Sequence, residues 1–150
     1  MTGARGDRVY CTYFDSRYVP RAYAMVRSLR AVGESAAVIA LCFDDAAVQS
    51  VQSWDLGDVE AVPIAAFEQR FPQVASVRAG RSTAEYFFTC TPWLVDYALE
   101  QSSPTWVTYL DADLWFASSP DPIYGEIADG VCGIIPHGYP PRLKKLEKYG

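Results

Sequence analysis

Histidine is nearly missing from this chain, and its few cysteines stand apart. His137 is alone, and Cys11, Cys42, Cys90 and Cys132 form no C-x-x-C pair. That argues against a zinc finger, a dithiol redox centre or a disulfide scaffold. Cys11, Cys42 and Cys132 sit in apolar, strand-like runs, where a buried thiol is a small hydrophobe. No run approaches the ~18 apolar residues of a membrane span. The stretch from Met1 to Arg8 is polar and lacks the apolar core of a signal peptide, so a cytoplasmic location is the expectation. Excess positive charge is lacking too. A net charge of -5 and a pI near 4.8 argue against nucleic acid, whose phosphates need a basic surface. The one basic cluster, Arg142, Lys144, Lys145 and Lys148, reads as a solvated helix face. Repeats, linkers and low-complexity segments are likewise absent.

What is present is a half-hydrophobic chain of 150 residues, enough for one globular domain with a real core. Val9 to Tyr13 is β-rich, and Pro20 suits the first turn of a helix that Gly33 would cap. Ala37 to Phe43 is a continuous apolar run of the kind buried on both faces of a sheet. Asp44 or Asp45 can cap a helix running from Ala46 to about Trp54. Val59 to Ile64 is a third strand, followed by a short helix that Pro72 should stop. Ser82-Thr83-Ala84-Glu85 fits a capping box, opening a helix that Pro92 should kink or restart before it ends near Gln101. Trp106 to Leu110 is a fourth strand, Leu114 to Phe116 an extended run, Pro120 to Ile127 a short helix and Val131 to Ile135 another strand.

Strand and helix alternate, which predicts a mainly parallel, Rossmann-like α/β sheet flanked by helices. Ligands of such sheets bind beyond the carboxyl ends of the strands. The polar residues that follow strands are therefore the candidates: Asp15, Asp44, Asp45, Asp111, Asp113 and His137. Of these, Asp111 and Asp113 form a D-x-D. Eleven aspartates in 150 residues produce roughly one such pattern by chance, so context carries the argument. Two carboxylates leaving a buried strand together repel and lose hydration. A divalent cation relieves both costs, and hard oxygen ligands suit Mg²⁺ or Mn²⁺. A turn whose aspartates cap the chain is the plainer alternative.

Tyr109-Leu110-Asp111-Ala112-Asp113 resembles the D-x-D segment of GT-A fold glycosyltransferases, particularly those like glycosyltransferase family 8. Asp15-Ser16-Arg17-Tyr18 followed by Ser28-Leu29 is similar to that family's opening D-x-x-Y…S-L pattern. Ser82 to Tyr86 resembles its polar lead into the helix before the D-x-D strand, and Pro120-Asp121-Pro122-Ile123-Tyr124 the segment after it. The likeness covers roughly residues 8 to 150. It implies a GT-A fold, a nucleotide-sugar donor (a UDP-sugar foremost) and hexose transfer to an unknown acceptor. By the resemblance, Thr12, Tyr13, Asp15 and Tyr18 would hold the nucleotide, with Arg81, Tyr86 and Ala112 lining the donor site. Asp111 would touch the donor and, with Asp113, hold Mn²⁺ or Mg²⁺. His137 would touch sugar or acceptor.

The chain also departs from the pattern. Phe88 stands where family members often carry an arginine, and Arg81 is the candidate substitute. The histidine that serves the family as third metal ligand has no counterpart, and GT-A domains usually exceed 200 residues. The expectation is therefore the N-terminal portion of a larger domain, binding nucleotide weakly with little or no transfer. Two alternatives stay open. One is a non-catalytic nucleotide- or carbohydrate-binding module. The other is a haloacid-dehalogenase-like phosphatase, whose D-x-D normally opens its domain and is followed by threonine or valine where Trp115 stands here.

Overall fold

The computed structural model describes residues 8–102, 104–127 and 132–133. In chain order the elements are β1 (Arg8–Phe14), α1 (Val19–Ala31), β2 (Ala37–Cys42), α2 (Asp45–Gln52), β3 (Val59–Pro63), α3 (Ile64–Arg70), α4 (Pro72–Val77), α5 (Thr83–Ser102), β4 (Trp106–Tyr109) and α6 (Asp121–Glu126). The four strands form one all-parallel sheet in the order β3-β2-β1-β4. The chain divides into two compact units, one ending at Ser119 and the other beginning at Pro120. The first holds the sheet and α1 to α5; the second holds α6.

The period of two along each strand sorts the side chains between two helical layers. Val9 and Cys11 of β1, Ile39 and Leu41 of β2 and Val62 of β3 pack with Phe67, Phe71, Val74, Tyr86, Cys90, Leu94 and Ala98 from α3, α4, α5 and the residue joining α3 to α4. Phe14, Ala40 and Cys42 face the other way, onto Ala22 of α1 and Ala47 and Val51 of α2. Every residue of β2 after Ala37 is buried, as its unbroken apolar run predicts. The α5 stripe Tyr86, Cys90, Leu94 and Ala98 recurs every fourth residue and so lies along one helical face.

The helix ends follow local chemistry. α1 closes in a Schellman motif. Gly33 adopts φ 88° there, its N–H donates to the Arg30 carbonyl, and the Glu34 N–H donates to that of Leu29. The Asp44 carboxylate accepts from the Ala47 N–H and caps α2. The capping box of α5 forms as expected: the Ser82 N–H and hydroxyl both donate to Glu85 Oε2, and the Glu85 N–H approaches Ser82 Oγ at 3.4 Å.

Several expectations are corrected. The short helix before Pro72 does stop, α3 ending at Arg70, but Pro72 also begins a new helix, α4, because its missing N–H is costless in a first turn. Pro92 does not restart the helix, since α5 runs unbroken through it. Leu114 to Phe116 form no strand; Leu114 and Trp115 are exposed, and the Phe116 N–H donates to Ser28 Oγ at 2.9 Å. Cys11, Cys42 and Cys90 are buried, but Cys132 is exposed. Burial raises the three buried thiols, Cys11 and Cys42 to about 12 and Cys90 to about 11, so they stay protonated and inert. The expected strand from Val131 to Ile135, His137 and the basic stretch after Arg142 fall wholly or largely outside the described residues.

Candidate functional site

Strand order reverses at β1. The chain moves from β1 outward through β2 to β3, then returns through α3, α4 and α5 to place β4 on the opposite side of β1. The crossovers therefore diverge beyond the carboxyl ends of β1 and β4, where open α/β sheets leave a crevice. A cleft of about 380 Å³ opens there, within the size range of small-ligand sites. One wall is the end of β1 and the turn after it, contributing Tyr13, Phe14, Asp15, Arg17 and Tyr18. Tyr109, Asp111, Ala112 and Asp113 form the opposite wall, and Ala84, Phe87 and Phe88 of α5 complete the cleft.

Packing explains how the two aspartates reach it. Beyond β4 the ladder runs one bond further, with the Leu110 N–H donating to the Cys11 carbonyl at 2.9 Å. Leu110 and Ala112 are buried, Ala112 against the α1 and α2 layer, while Asp111 and Asp113 remain exposed. The Leu114 N–H then turns back onto the Asp111 carbonyl at 3.3 Å. Ser28, buried on α1, donates to the Met25 carbonyl and accepts from Phe116, tying down the chain after the aspartates.

The Asp111 carboxylate accepts one hydrogen bond, from the Tyr109 hydroxyl at 3.1 Å. Among the described residues the Asp113 carboxylate has no hydrogen bond or ion pair. Tyr109 is half-buried, and the Tyr13 ring centroid lies 5.5 Å from its own. Burial above all, then Tyr13 and the Asp111 charge, raise the Tyr109 phenol far above its ordinary value, so it remains a donor. Tyr13 packs edge-on to Phe43 and Phe87, which stack on each other at 3.7 Å. One face of the cleft is thus a fixed aromatic surface.

The β1 side is organised differently. Asp15 caps the turn after β1, accepting from the Arg17 N–H at 3.0 Å, as a helix-entry cap would. Its Oδ2 also accepts from Arg17 Nη2 at 2.6 Å and Nε at 3.0 Å. Asp44 reaches across from the end of β2 to accept from the Ser16 N–H at 2.9 Å. Burial opposes ionisation of Asp44, but the bonds from Ser16, Ala47 and Ala46 outweigh it and hold its carboxyl below the usual range.

Of the residues expected at the donor site, Tyr13, Asp15, Tyr18, Asp111, Ala112 and Asp113 converge on this cleft, and three do not. Thr12 is 1% exposed, because its place on β1 points it into the sheet's helical layer, and its hydroxyl has no partner. Tyr86 is a core residue whose hydroxyl donates to Glu68 at 2.6 Å. Arg81 bonds to Thr89 on the surface, so it is not the cleft's positive group; Arg17 is the cation on the lining. Phe88, at the position where an arginine was sought, is 70% exposed at the cleft.

Three carboxylates and one guanidinium line the cleft, and the guanidinium is tied to Asp15. A diphosphate would meet net negative charge there unless a cation accompanied it. The donor set fits such a cation in part. Asp111 and Asp113 offer exposed hard oxygens, and Mg²⁺ or Mn²⁺ is commonly held by one or two carboxylates with phosphate and water completing the shell. Among the described residues no group of three or more histidine, cysteine, aspartate or glutamate side chains could hold a metal unaided. No helix among them is long and apolar enough to cross a membrane.

No protein-family model matches the chain. It is 29% identical over 128 residues, 84% of its length, to the uncharacterized protein YfnF of Bacillus subtilis (strain 168). The matched region makes up 41% of that protein. The chain is thus similar to less than half of a longer protein whose name states no activity.

Proposed function

We propose that this chain is the nucleotide-binding part of a GT-A type glycosyltransferase, taking a nucleotide-diphosphate sugar with a divalent cation. The observation that carries the proposal is the cleft at the reversal of strand order, with Asp111 and Asp113 on one wall and the β1 turn on the other. The resemblance of both segments to the family 8 pattern accords with it. In this reading the β1 wall, with Tyr13, Asp15 and Tyr18, receives the nucleoside. Asp111 and Asp113 hold Mg²⁺ or Mn²⁺, which when bound supplies charge neutralisation for the departing diphosphate. Arg17 is the remaining cationic group within reach of phosphate. The aromatic wall excludes water and orients the donor. The acceptor and the stereochemical outcome are not specified by these residues.

UDP titrated calorimetrically with Mn²⁺ and then with EDTA tests the reading, with Asp113→Ala in parallel. Binding that is detected only with Mn²⁺ and lost in the variant is the expected result. Equal UDP affinity in all cases would remove the metal from the account and leave a metal-independent binding module. Release of UDP from a UDP-sugar pool then separates transfer or hydrolysis from binding alone.

A further inference from the structure

The two walls of the cleft are joined by a pair of packed tyrosines, one of them bonded to Asp111, that the proposed function does not require. Register places Cys11 of β1 beside Tyr109 of β4, so Tyr13 and Tyr109, on the same face of adjacent strands, reach the carboxyl end together. Their ring centroids lie 5.5 Å apart. The Tyr109 hydroxyl has one proton and donates it to Asp111 Oδ1, 3.1 Å away.

We infer that Tyr109 is a positioning residue for the Asp111 carboxylate, held by Tyr13 so that the order of the nucleoside wall reaches the cation-binding wall. The inference rests on the reading of Asp111 as a metal ligand. Asp111 is exposed, and among the described residues its carboxylate receives no other polar contact, so rotation of its side chain is otherwise restrained only by its own rotamers. A single bond to Oδ1 fixes that rotation and leaves Oδ2 available to a cation. Tyr109 is itself immobilised: it packs into the core that includes Val9, Cys11 and Leu94, and Tyr13 is wedged against Phe43 and Phe87. Outer partners of this kind, hydrogen-bonded to a ligating group, commonly change metal affinity by roughly 10- to 100-fold when removed. Tyr13 lines the cleft and touches Tyr109, so occupancy of the nucleoside wall and capture of the cation become coupled.

Mn²⁺ binding followed by electron paramagnetic resonance at saturating UDP tests this, because the free-ion signal reports Mn²⁺ affinity without turnover. Tyr109→Phe keeps the ring and its packing and removes only the hydroxyl. Its Mn²⁺ affinity should fall by about 10-fold or more, with an unchanged circular dichroism spectrum and unfolding midpoint. Tyr13→Leu, which removes the ring packed against Tyr109, should lower it less, since the Tyr109–Asp111 bond survives. Wild-type Mn²⁺ affinity in Tyr109→Phe would overturn the inference while leaving the proposed function standing. Absence of Mn²⁺ binding by the unmodified protein would overturn both. If Tyr109→Phe were destabilised, Tyr13→Leu decides alone: a folded Tyr13→Leu protein with unaltered Mn²⁺ affinity would contradict the coupling.

Discussion

The two ends of the sheet treat charge in opposite ways. At the amino end, Glu34 is buried and fully engaged. It accepts from Arg8 Nη1 and the Tyr10 hydroxyl, each at 3.1 Å, and from the Ala36 N–H at 2.9 Å. Arg30 beside it donates to the carbonyls of Leu56, Glu34, Ala36 and Asp58, stitching the end of α1 to the strands that follow. At the carboxyl end, Asp113 has no partner among the described residues and Asp111 has one. Charges satisfied by protein groups hold a fold together, whereas exposed carboxylates gathered at a cleft leave ligand positions open. The contrast assigns stability to one end and binding to the other.

Removing the best-satisfied charge should therefore have the largest effect on stability and none on the cleft. Glu34→Ala removes a buried carboxylate that accepts from Arg8, the Tyr10 hydroxyl and the Ala36 N–H, and should cost about 3 kcal/mol in urea unfolding. UDP affinity of the folded fraction should be unchanged. Burial raises the Glu34 pKa, but the bonds from Ala36, Arg8 and Tyr10 outweigh it and leave the folded value below the ordinary 4.5. Its contribution is then complete above about pH 4.5 and is lost as pH falls through the lower folded value. Stability should drop over that acidic window in the unmodified protein and less so in Glu34→Gln.

Asp44 lies at the carboxyl end but serves structure, and so sharpens the contrast. Asp44→Ala loses the α2 cap and the bond to Ser16, which should cost about 1 to 2 kcal/mol. It should also loosen the turn carrying Asp15 and Arg17, weakening UDP by a few-fold. A stability loss with unaltered UDP affinity would show that this clamp does not reach the site.

Thr12→Val should have the smallest effect, and a favourable one. The Thr12 hydroxyl is buried without a partner, and valine replaces it at nearly the same volume. A gain of about 1 kcal/mol is expected, with UDP binding intact. Weakened UDP binding would return Thr12 to the donor site and break the division between core and cleft along β1.

Much of this was legible in the sequence. The apolar run of β2, the Gly33 end of α1, the Asp44 cap and the Ser82 capping box depend on neighbours within a few residues, and all appear where the pattern places them. The α/β alternation sufficed for a parallel sheet, and residues after strands were the right place to seek a cleft. What the pattern could not show depends on which elements become neighbours. Thr12 and Tyr13 are adjacent in sequence, yet only Tyr13 reaches the cleft, because alternation along β1 sends Thr12 to the other layer. Arg17 could not be distinguished from a solvated arginine until the turn brought it onto Asp15. The first turns of α5 lie at the cleft and leave Phe88 exposed, which depends on the neighbours α5 meets and not on its own sequence. Leu114 to Phe116 read as an extended apolar run, yet β4 ends at Tyr109, the chain turns back on Asp111, and Leu114 and Trp115 are exposed.

The division between the two ends can be read directly by nuclear magnetic resonance. Mn²⁺ added with UDP to the isotopically labelled protein broadens amide signals according to their distance from the bound ion. The account predicts strongest broadening at Asp15, Phe87, Leu110, Asp111 and Asp113, least at Glu34, Ala36 and Asp58, and loss of the effect in Asp111→Asn/Asp113→Asn. Broadening centred on the amino end, or persisting in the double variant, would contradict it.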